Sequence, residues 1–301
     1  MIDLRLGDAL GPDGLAGLAD ASVASTITDP PFDARTHRAA SEAGDWRKGK
    51  RAISSALPFA PFGQVQIEAA ARELARVTRR WIVVFAAERQ IETWAQALEA
   101  GGARFIRLGL ALRANPRPQM TADRPAPPAD WLVIAHGPGE RLRWNGGGHP
   151  AVWDSPAARF DTGRKTLHPT QKPLHLMRAL VSDFTDPGEL VLDPFAGSGT
   201  TASACAELAR RFIGWELSSA FHAAAVARLR GGGYFDTPAA EVASKASTRP
   251  AEVSTVELTA TGSQASTCDY CGRLLEAGKR RDARYHPSCR RMASRRRRSA
   301  A

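Results

Sequence analysis

Long apolar runs and a cysteine framework are both missing from this 301-residue chain. No stretch approaches the roughly 18 consecutive apolar residues of a membrane-spanning helix, and the N-terminus lacks the charged-then-apolar layout of a signal peptide. Of the four cysteines, Cys205 lies in the main body, and the other three lie in the last 34 residues, unlike a secreted disulfide scaffold. We therefore expect a soluble, cytoplasmic protein with no membrane partner.

Acidic residues are scarce at the C-terminal end. The net charge of the chain is +10, and the segment 268–301 carries eleven lysines and arginines against three acidic residues, or +8. A basic end of this kind favours a partner that carries phosphates, such as nucleic acid, although a solvated, disordered tail has the same composition.

Strand-like and helix-like segments alternate through the first 230 residues, and their lengths predict an α/β domain with a doubly wound, mostly parallel sheet. The predicted strands are Ile2–Leu6, Val23–Thr28, Trp81–Phe85, Arg104–Leu112, Trp131–His136, Glu189–Leu192 and Phe212–Glu216. The predicted helices are Gln64–Thr78, Glu88–Ala100, Leu174–Phe184, Thr200–Ala209 and Ser218–Arg230. Residues 231–267 are rich in Ala, Ser, Thr and Pro and are expected to form a flexible linker.

A glycine-rich loop follows the strand Glu189–Leu192 and reads Asp193-Pro194-Phe195-Ala196-Gly197-Ser198-Gly199-Thr200. Its Gly-Ser-Gly turn lets the backbone approach a ligand closely, as in nucleotide-cofactor loops at the carboxyl ends of parallel strands. Glu216 closes the next strand and is suited to ribose hydroxyls. A tight strand-to-helix turn is the alternative. The loop lacks a Gly-Lys-Ser/Thr ending, which argues against an NTPase phosphate loop.

A second motif, Asp29-Pro30-Pro31-Phe32, follows the strand Val23–Thr28. The prolines remove backbone donors and stiffen the turn, which leaves a carboxylate, a free carbonyl and an aromatic ring at a strand end. Asp29 and the Pro30 carbonyl can each accept one N–H of an exocyclic amine while Phe32 stacks on the base. The alternative is that Asp-Pro-Pro only ends a strand.

In this order the two motifs resemble those of the β-class DNA amino-methyltransferases. Three further stretches carry the same resemblance, which covers residues 1–230: Leu6-Gly7-Asp8-Ala9-Leu10, His168-Pro169-Thr170-Gln171-Lys172-Pro173, and Gly214-Trp215-Glu216-Leu217 with Ala225-x-x-Arg228-Leu229. The resemblance implies a seven-stranded sheet of the S-adenosylmethionine-dependent methyltransferase type, with one reversed strand and a circularly permuted order.

The resemblance also implies S-adenosylmethionine as the cofactor and a role for each motif residue. The catalytic cluster would be Asp29, Pro30, Pro31 and Phe32. The cofactor loop would be shaped by Phe195, Gly197, Ser198, Gly199 and Thr200. Asp193 would hold the methionine portion, Glu216 the ribose and Asp8 the adenine amine, while Thr170 and Lys172 would approach the methionine carboxylate.

The predicted function is site-specific methylation of double-stranded DNA at an exocyclic amine, most often adenine N6 when the motif begins with Asp. Cytosine N4, an RNA substrate and a catalytically silent DNA-binding protein stay open as alternatives. A nicotinamide oxidoreductase would use the same glycine-rich loop but gives no reason for Asp29–Phe32. The expected location is the nucleoid, and the family leaves a homodimer and a cognate restriction endonuclease open as partners.

Two irregular segments are candidates for DNA contact. In the family, target recognition usually precedes the His-Pro-Thr-Gln-Lys-Pro stretch, which here is the segment 137–167, with Arg141, Arg143, Asn145 and Arg164 as candidate contacts. The basic segment 33–60 is a second candidate, as a loop that closes over DNA. A locally packed surface loop and solvated disorder are the respective alternatives.

The remaining cysteines form a metal-ligand pattern in the segment 268–301. Cys268-x-x-Cys271, fourteen intervening residues and His286-x-x-Cys289 give a Cys3His layout for structural tetrahedral zinc. The metal would substitute for a core that so short a segment cannot build. Free thiols in a disordered tail are the alternative. Cys205 is expected to be a small core residue.

Overall fold

A computed structural model describes residues 1–34, 60–113, 125–155 and 171–231 of the protein. Its strands are β1 (Ile2–Leu6), β2 (Ser25–Thr28), β3 (Trp81–Ala86), β4 (Arg104–Arg113), β5 (Ala129–His136), β6 (Val152–Ser155), β7 (Leu190–Asp193) and β8 (Arg211–Glu216). Its helices are α1 (Gln64–Val77), α2 (Ile91–Ala100), α3 (Leu174–Phe184), α4 (Thr200–Glu207) and α5 (Ser219–Arg230), with short 3-10 turns at Leu15–Gly17 and Glu88–Gln90.

The eight strands form one sheet in the order β1-β8-β7-β2-β3-β5-β4-β6. Neighbouring strands are parallel except where β5 pairs with β3 and β4, so β5 is the single reversed strand. The doubly wound, mostly parallel α/β architecture predicted from the sequence is confirmed.

The expected count of seven strands was wrong by one, because β6 adds to the outer edge of β4. β6 has four residues, too few to give a recognisable period-two pattern, and it follows a glycine- and proline-rich stretch. The strand is held by Trp153, which is 4% exposed and whose indole Nε1 donates to the buried Asp183 Oδ2 at 2.8 Å.

Alternating side chains of the strands feed two separate cores, one on each face of the sheet. In β3, Trp81, Val83 and Phe85 enter the core shared with α3, α4 and α5. The intervening Ile82 and Val84 enter the core shared with α1 and α2. A sheet buried on both faces explains why β3 reads as a continuous apolar run.

Helices change face between the central neighbours β2 and β7. The helix that follows β2 is α1, on one face, and the helix that follows β7 is α4, on the other. A crevice therefore opens at the carboxyl ends of these two strands, where ligands bind in open α/β sheets.

The observed boundaries lie within a few residues of the predicted ones, and Leu174–Phe184 matches in full. No helix of the described ranges is long and apolar enough to cross a membrane. The predicted linker begins where the described residues end, and the predicted zinc module lies entirely outside them.

Candidate active site

Four carboxylates follow the carboxyl ends of four adjacent parallel strands. Asp8 follows β1, Glu216 ends β8, Asp193 ends β7 and Asp29 follows β2, and these strands are neighbours in that order. The fold therefore brings together motifs that are far apart in the chain, along one edge of the sheet.

Asp193 is fixed at the centre of this row by three donors. The hydroxyl of Thr28 donates to Oδ1 at 2.7 Å, that of Thr201 donates to Oδ2 at 2.6 Å, and the Phe195 N–H donates to Oδ1 at 3.2 Å. Burial raises the pKa of Asp193 to about 6, in spite of these hydrogen bonds. Because Thr28 immediately precedes Asp29, the bond from Thr28 ties the Asp29 turn to the glycine-rich loop.

Glu216 lies beside the same loop and is 9% exposed. Ser218 N–H donates to its Oε1 at 2.7 Å, and the backbone N–H of Gly197 donates to its carboxylate. Burial raises the pKa of Glu216 to about 7. The loop and the end of β8 are thus joined through one carboxylate.

Two glycines of the loop adopt left-handed backbone angles. Gly197 has φ +55°, and a Cβ built there would meet no atom within 4 Å, so the backbone faces open space. Gly199 has φ +71° and a Cβ there would lie 3.1 Å from the Cβ of Ala225 on α5. Gly199 therefore allows α5 to pack closely against the loop, whereas Gly197 leaves open space beside Glu216.

Side chains without an assigned role in the sequence analysis support the loop from both faces of the sheet. Arg228 of α5 is 2% exposed, and its Nη1 donates to the Ser198 carbonyl at 2.9 Å and to Thr200 Oγ1 at 3.2 Å. Phe62, ahead of α1, meets Phe195 edge-on with ring centroids 5.3 Å apart. Arg228 lies in the Ala225-x-x-Arg228-Leu229 motif, but its contacts depend on how α5 packs, which a local sequence pattern does not indicate.

Asp29 is held by a lysine distant in sequence. Lys172 Nζ lies 2.5 Å from Asp29 Oδ2, and the side chains are 12% and 23% exposed respectively. Asp29 Oδ1 is buried and has no hydrogen-bond partner among the described residues. Burial raises the pKa of Asp29, and Lys172 opposes that shift.

Aromatic rings and prolines surround this pair. Lys172 Nζ lies 4.7 Å from the ring centroid of Phe85 and 5.5 Å from that of Phe32. Phe32 is half-buried and packs against the core. Pro30 is buried and Pro31 is half-buried, so the motif forms a rigid rim around one carboxylate.

A second ion pair lies at the same edge. Arg113, at the end of β4, pairs with Asp130, near the start of the reversed strand β5. Asp130 raises and Arg113 lowers the pKa of Asp29 through their charges. Neither residue was a candidate from sequence, because only the pairing of β4 with β5 brings them together.

Of the remaining residues expected to contact the cofactor, the structure describes Asp8 but not Thr170. Asp8 is exposed, and its Oδ1 accepts the Leu10 N–H at 2.9 Å, which fixes the turn after β1. Thr170 lies outside the described residues, as do the four expected zinc ligands. Cys205 is fully buried in the core as expected, and burial raises the pKa of its thiol.

The described candidates for target recognition do not join this site. Arg143 pairs with Asp186, and its carbonyl accepts the Trp81 indole N–H at 2.6 Å at the amino end of β3. The Asn145 amide donates to the Thr185 carbonyl and to Asp186 Oδ1, both at 2.9 Å. Arg141 lines a cleft of about 390 Å³ at the same end of the sheet. These three residues therefore lie at the edge opposite Asp29, and Arg164 lies outside the described residues.

Known proteins are similar to this chain in sequence and in fold. The profile of the DNA methylase family matches residues 116–227. DNA adenine methyltransferase YhdJ of Escherichia coli K12 is 41% identical over 78 residues, 26% of this chain and 26% of its own length. The type II methyltransferase M.HindIII of Haemophilus influenzae is 48% identical over 71 residues, 24% of this chain and 23% of its own length. The aligned stretches thus span about a quarter of these curated relatives.

Solved structures extend the likeness over most of the chain. A complex of M1.HpyAVI with SAM is 27% identical with a TM-score of 0.55, covering 76% of this chain and all of that one. The chain is thus similar to DNA methyltransferases in sequence over part of its length and in fold over most of it. The fold is also that of the cytosine-N4-specific PvuII DNA methyltransferase, at a TM-score of 0.56 over 81% of this chain and 90% of that one, although the identity is only 14%. The fold predicted from the family resemblance is thereby confirmed.

Proposed function

We propose that the protein transfers a methyl group from S-adenosylmethionine to the exocyclic amine of a DNA base, with adenine N6 as the favoured target. One observation carries the proposal. Asp29, whose Oδ1 is buried and has no hydrogen-bond partner among the described residues, lies across the crevice between β2 and β7 from the glycine-rich loop. Methyl transfer to nitrogen requires a hydrogen-bond acceptor that holds the amine and, next to it, a loop that binds the methyl donor.

The residues at this edge fit S-adenosylmethionine. The open space at Gly197 gives a ligand close access to the loop backbone, and Glu216 beside it suits ribose hydroxyls. Asp193 would hold the methionine portion of the cofactor, and Asp8, which follows the outer strand, would suit its adenine amine. M1.HpyAVI, which shares this fold, was solved with SAM bound. When bound, the cofactor would supply an electrophilic methyl group on sulfur.

The protein's own residues would prepare the amine for attack. Asp29 Oδ1 and the Pro30 carbonyl accept its two hydrogens, which frees the nitrogen lone pair from the ring. Phe32 stacks on the base and replaces stacking lost when the base leaves the duplex. With the methyl donor bound, the amine lone pair would form the new N–C bond as the S–C bond breaks toward sulfur, and one amine proton would pass to Asp29 or to water.

Adenine is favoured over cytosine by the relatives and by the motif. YhdJ is named a DNA adenine methyltransferase and is 41% identical over the aligned residues, whereas the cytosine-N4 enzyme resembles this chain in fold alone. Asp at position 29 also accords with adenine N6. Cytosine N4 remains the second candidate, because both amines present the same two hydrogens to Asp29 and Pro30.

We propose that the C-terminal segment is a tethered DNA-binding module that raises the local concentration of DNA at the catalytic domain. The basic charge of residues 268–301 suits the DNA backbone, and Cys268, Cys271, His286 and Cys289 would hold one structural zinc ion. Metal analysis of the purified chain is expected to find about one zinc per molecule, lost in Cys289→Ser. Metal-free wild type would contradict the zinc assignment. A homodimer and a cognate restriction endonuclease stay predictions.

Mass spectrometry of nucleosides tests the proposed reaction. Mixed-sequence DNA is incubated with the protein and deuteromethyl-labelled S-adenosylmethionine, then digested. Labelled N6-methyladenine is the expected product, and labelled N4-methylcytosine would correct the base alone. No labelled nucleoside from any DNA, with cofactor binding verified, would contradict the proposal and favour an RNA substrate or a silent binding protein.

A further inference from the structure

Asp29 uses its two carboxylate oxygens differently. Oδ2 is bound by Lys172 Nζ at 2.5 Å, while Oδ1 is buried and has no partner among the described residues. We propose that Lys172 is a positioning residue that anchors Oδ2 and keeps Asp29 ionised, so that Oδ1 is the oxygen presented to the substrate amine. This role rests on the proposed function of the site.

The surroundings of the pair strengthen its effect. Lys172 Nζ lies over the rings of Phe85 and Phe32, and its side chain is 12% exposed. Water therefore screens the attraction weakly, and the aromatic faces hold the ammonium in place. An ionised carboxylate accepts both N–H bonds strongly, whereas a protonated Asp29 would carry its own O–H and lose acceptor capacity.

Other charges around Asp29 do not replace Lys172. Asp130 on β5 opposes ionisation of Asp29, and Arg113 on β4 favours it while already paired with Asp130. The charge of Asp29 in turn raises the pKa of Asp193 on β7. Among the described residues, Lys172 is the cation whose contact with the Asp29 carboxylate is direct. Its removal would leave a half-buried carboxylate beside two acidic neighbours, with Oδ1 buried.

The family resemblance instead places Lys172 toward the methionine carboxylate of the cofactor. The two roles predict different losses. If Lys172 contacts the cofactor, its removal would weaken S-adenosylmethionine binding at every pH. If Lys172 acts through Asp29, its removal would instead change the pH at which Asp29 is ionised and can accept the amine hydrogen. An opposite charge at this distance commonly lowers a carboxyl pKa by about 1–3 units.

Lys172→Met is the test substitution, because it keeps an unbranched side chain only one atom shorter and removes the charge. In the full chain we expect the acidic limb of the kcat/KM profile to move up by about 1–3 pH units, while S-adenosylmethionine affinity stays unchanged. Lys172→Arg restores the charge and should return the limb toward the wild-type position. Arg178→Met, which removes a charge paired with Glu207 on the neighbouring helix, serves as the matched control and should leave the limb in place.

A readout without turnover separates this inference from the reaction itself. Infrared titration follows the protonated carboxyl band that disappears in Asp29→Asn, and its midpoint should rise by the same 1–3 units in Lys172→Met. An unchanged midpoint, or a fall in cofactor affinity with an unchanged pH limb, would overturn the inference. A shifted midpoint in a protein that methylates no base would support the ion pair and refute the proposed reaction.

Discussion

Gly197→Ala is expected to separate cofactor binding from folding. The residue has φ +55°, and an added methyl group would enter the open space beside Glu216 without meeting protein atoms within 4 Å. Strain in the left-handed region costs a non-glycine residue roughly 1–2 kcal/mol. For a body of this size that free energy lowers Tm by roughly 2–8 °C.

Gly188→Ala is the matched control for the same backbone strain. Gly188 has φ +82°, and a Cβ there also meets nothing within 4 Å. It lies in the turn before β7, at the opposite end of that strand from Asp193. Both variants should therefore lose similar stability, and Gly197→Ala alone should lose cofactor affinity.

The expected loss of affinity follows from crowding at a close approach between backbone and ligand. An inserted methyl group in a packed site costs about 1–3 kcal/mol, or about 5- to 150-fold in Kd. Calorimetric titration with S-adenosylmethionine, beside thermal melting, measures both quantities. Equal affinities in the two variants would show that the Gly197 backbone does not approach the cofactor.

Three further predictions concern the base, the pH dependence and the tail. Phe32→Ala should weaken binding of DNA with an extruded base by about 1–3 kcal/mol and spare S-adenosylmethionine binding, since stacking is lost; an equal loss of cofactor affinity in titration would refute the assignment. Ionisation of Asp193 near pH 6 and of Glu216 near pH 7 should strengthen cofactor binding as pH rises through these values. Glu216→Gln should remove the step near 7, and a pH-independent wild-type Kd would contradict this account. Without ligand, the raised pKa of Glu216 should lower the free energy of unfolding as pH rises from 4.5 through about 7, in urea titrations. Deleting residues 234–301 should lower the log–log salt slope of DNA binding by about 0.9 for each phosphate that the tail neutralises in the full chain, and an unchanged slope would exclude the tail from DNA.

The row of carboxylates could be predicted from sequence because each one lies at or just beyond the end of a predicted strand. Asp29 and Asp193 carry their position in their local motif, since parallel strands bring their carboxyl ends to one edge. The alternation of apolar strand-like runs with helical segments along the chain likewise predicted the doubly wound sheet. These features depend on local pattern and on general rules of connectivity.

Interactions across the sheet could not be predicted in the same way. The pair of Lys172 with Asp29 joins residues 143 positions apart, and it depends on how the segment before α3 crosses the end of β2. Strand β6 is too short to show a period. Arg141, Arg143 and Asn145 were candidate DNA contacts, and the packing of their segment at the amino end of β3 places them at the opposite edge. Such features arise from packing, which a single sequence does not encode locally.

Asp29→Ala in the labelled-methyl assay tests the central claim most directly. Both proteins are first shown to bind S-adenosylmethionine with the same Kd, and label in DNA nucleosides is then counted over time. The site geometry predicts labelled N6-methyladenine from the wild type and a loss of at least about 100-fold in Asp29→Ala, the scale of one positioned acceptor. Equal rates in the two proteins would contradict the assignment of this edge of the sheet as the place where the amine is methylated.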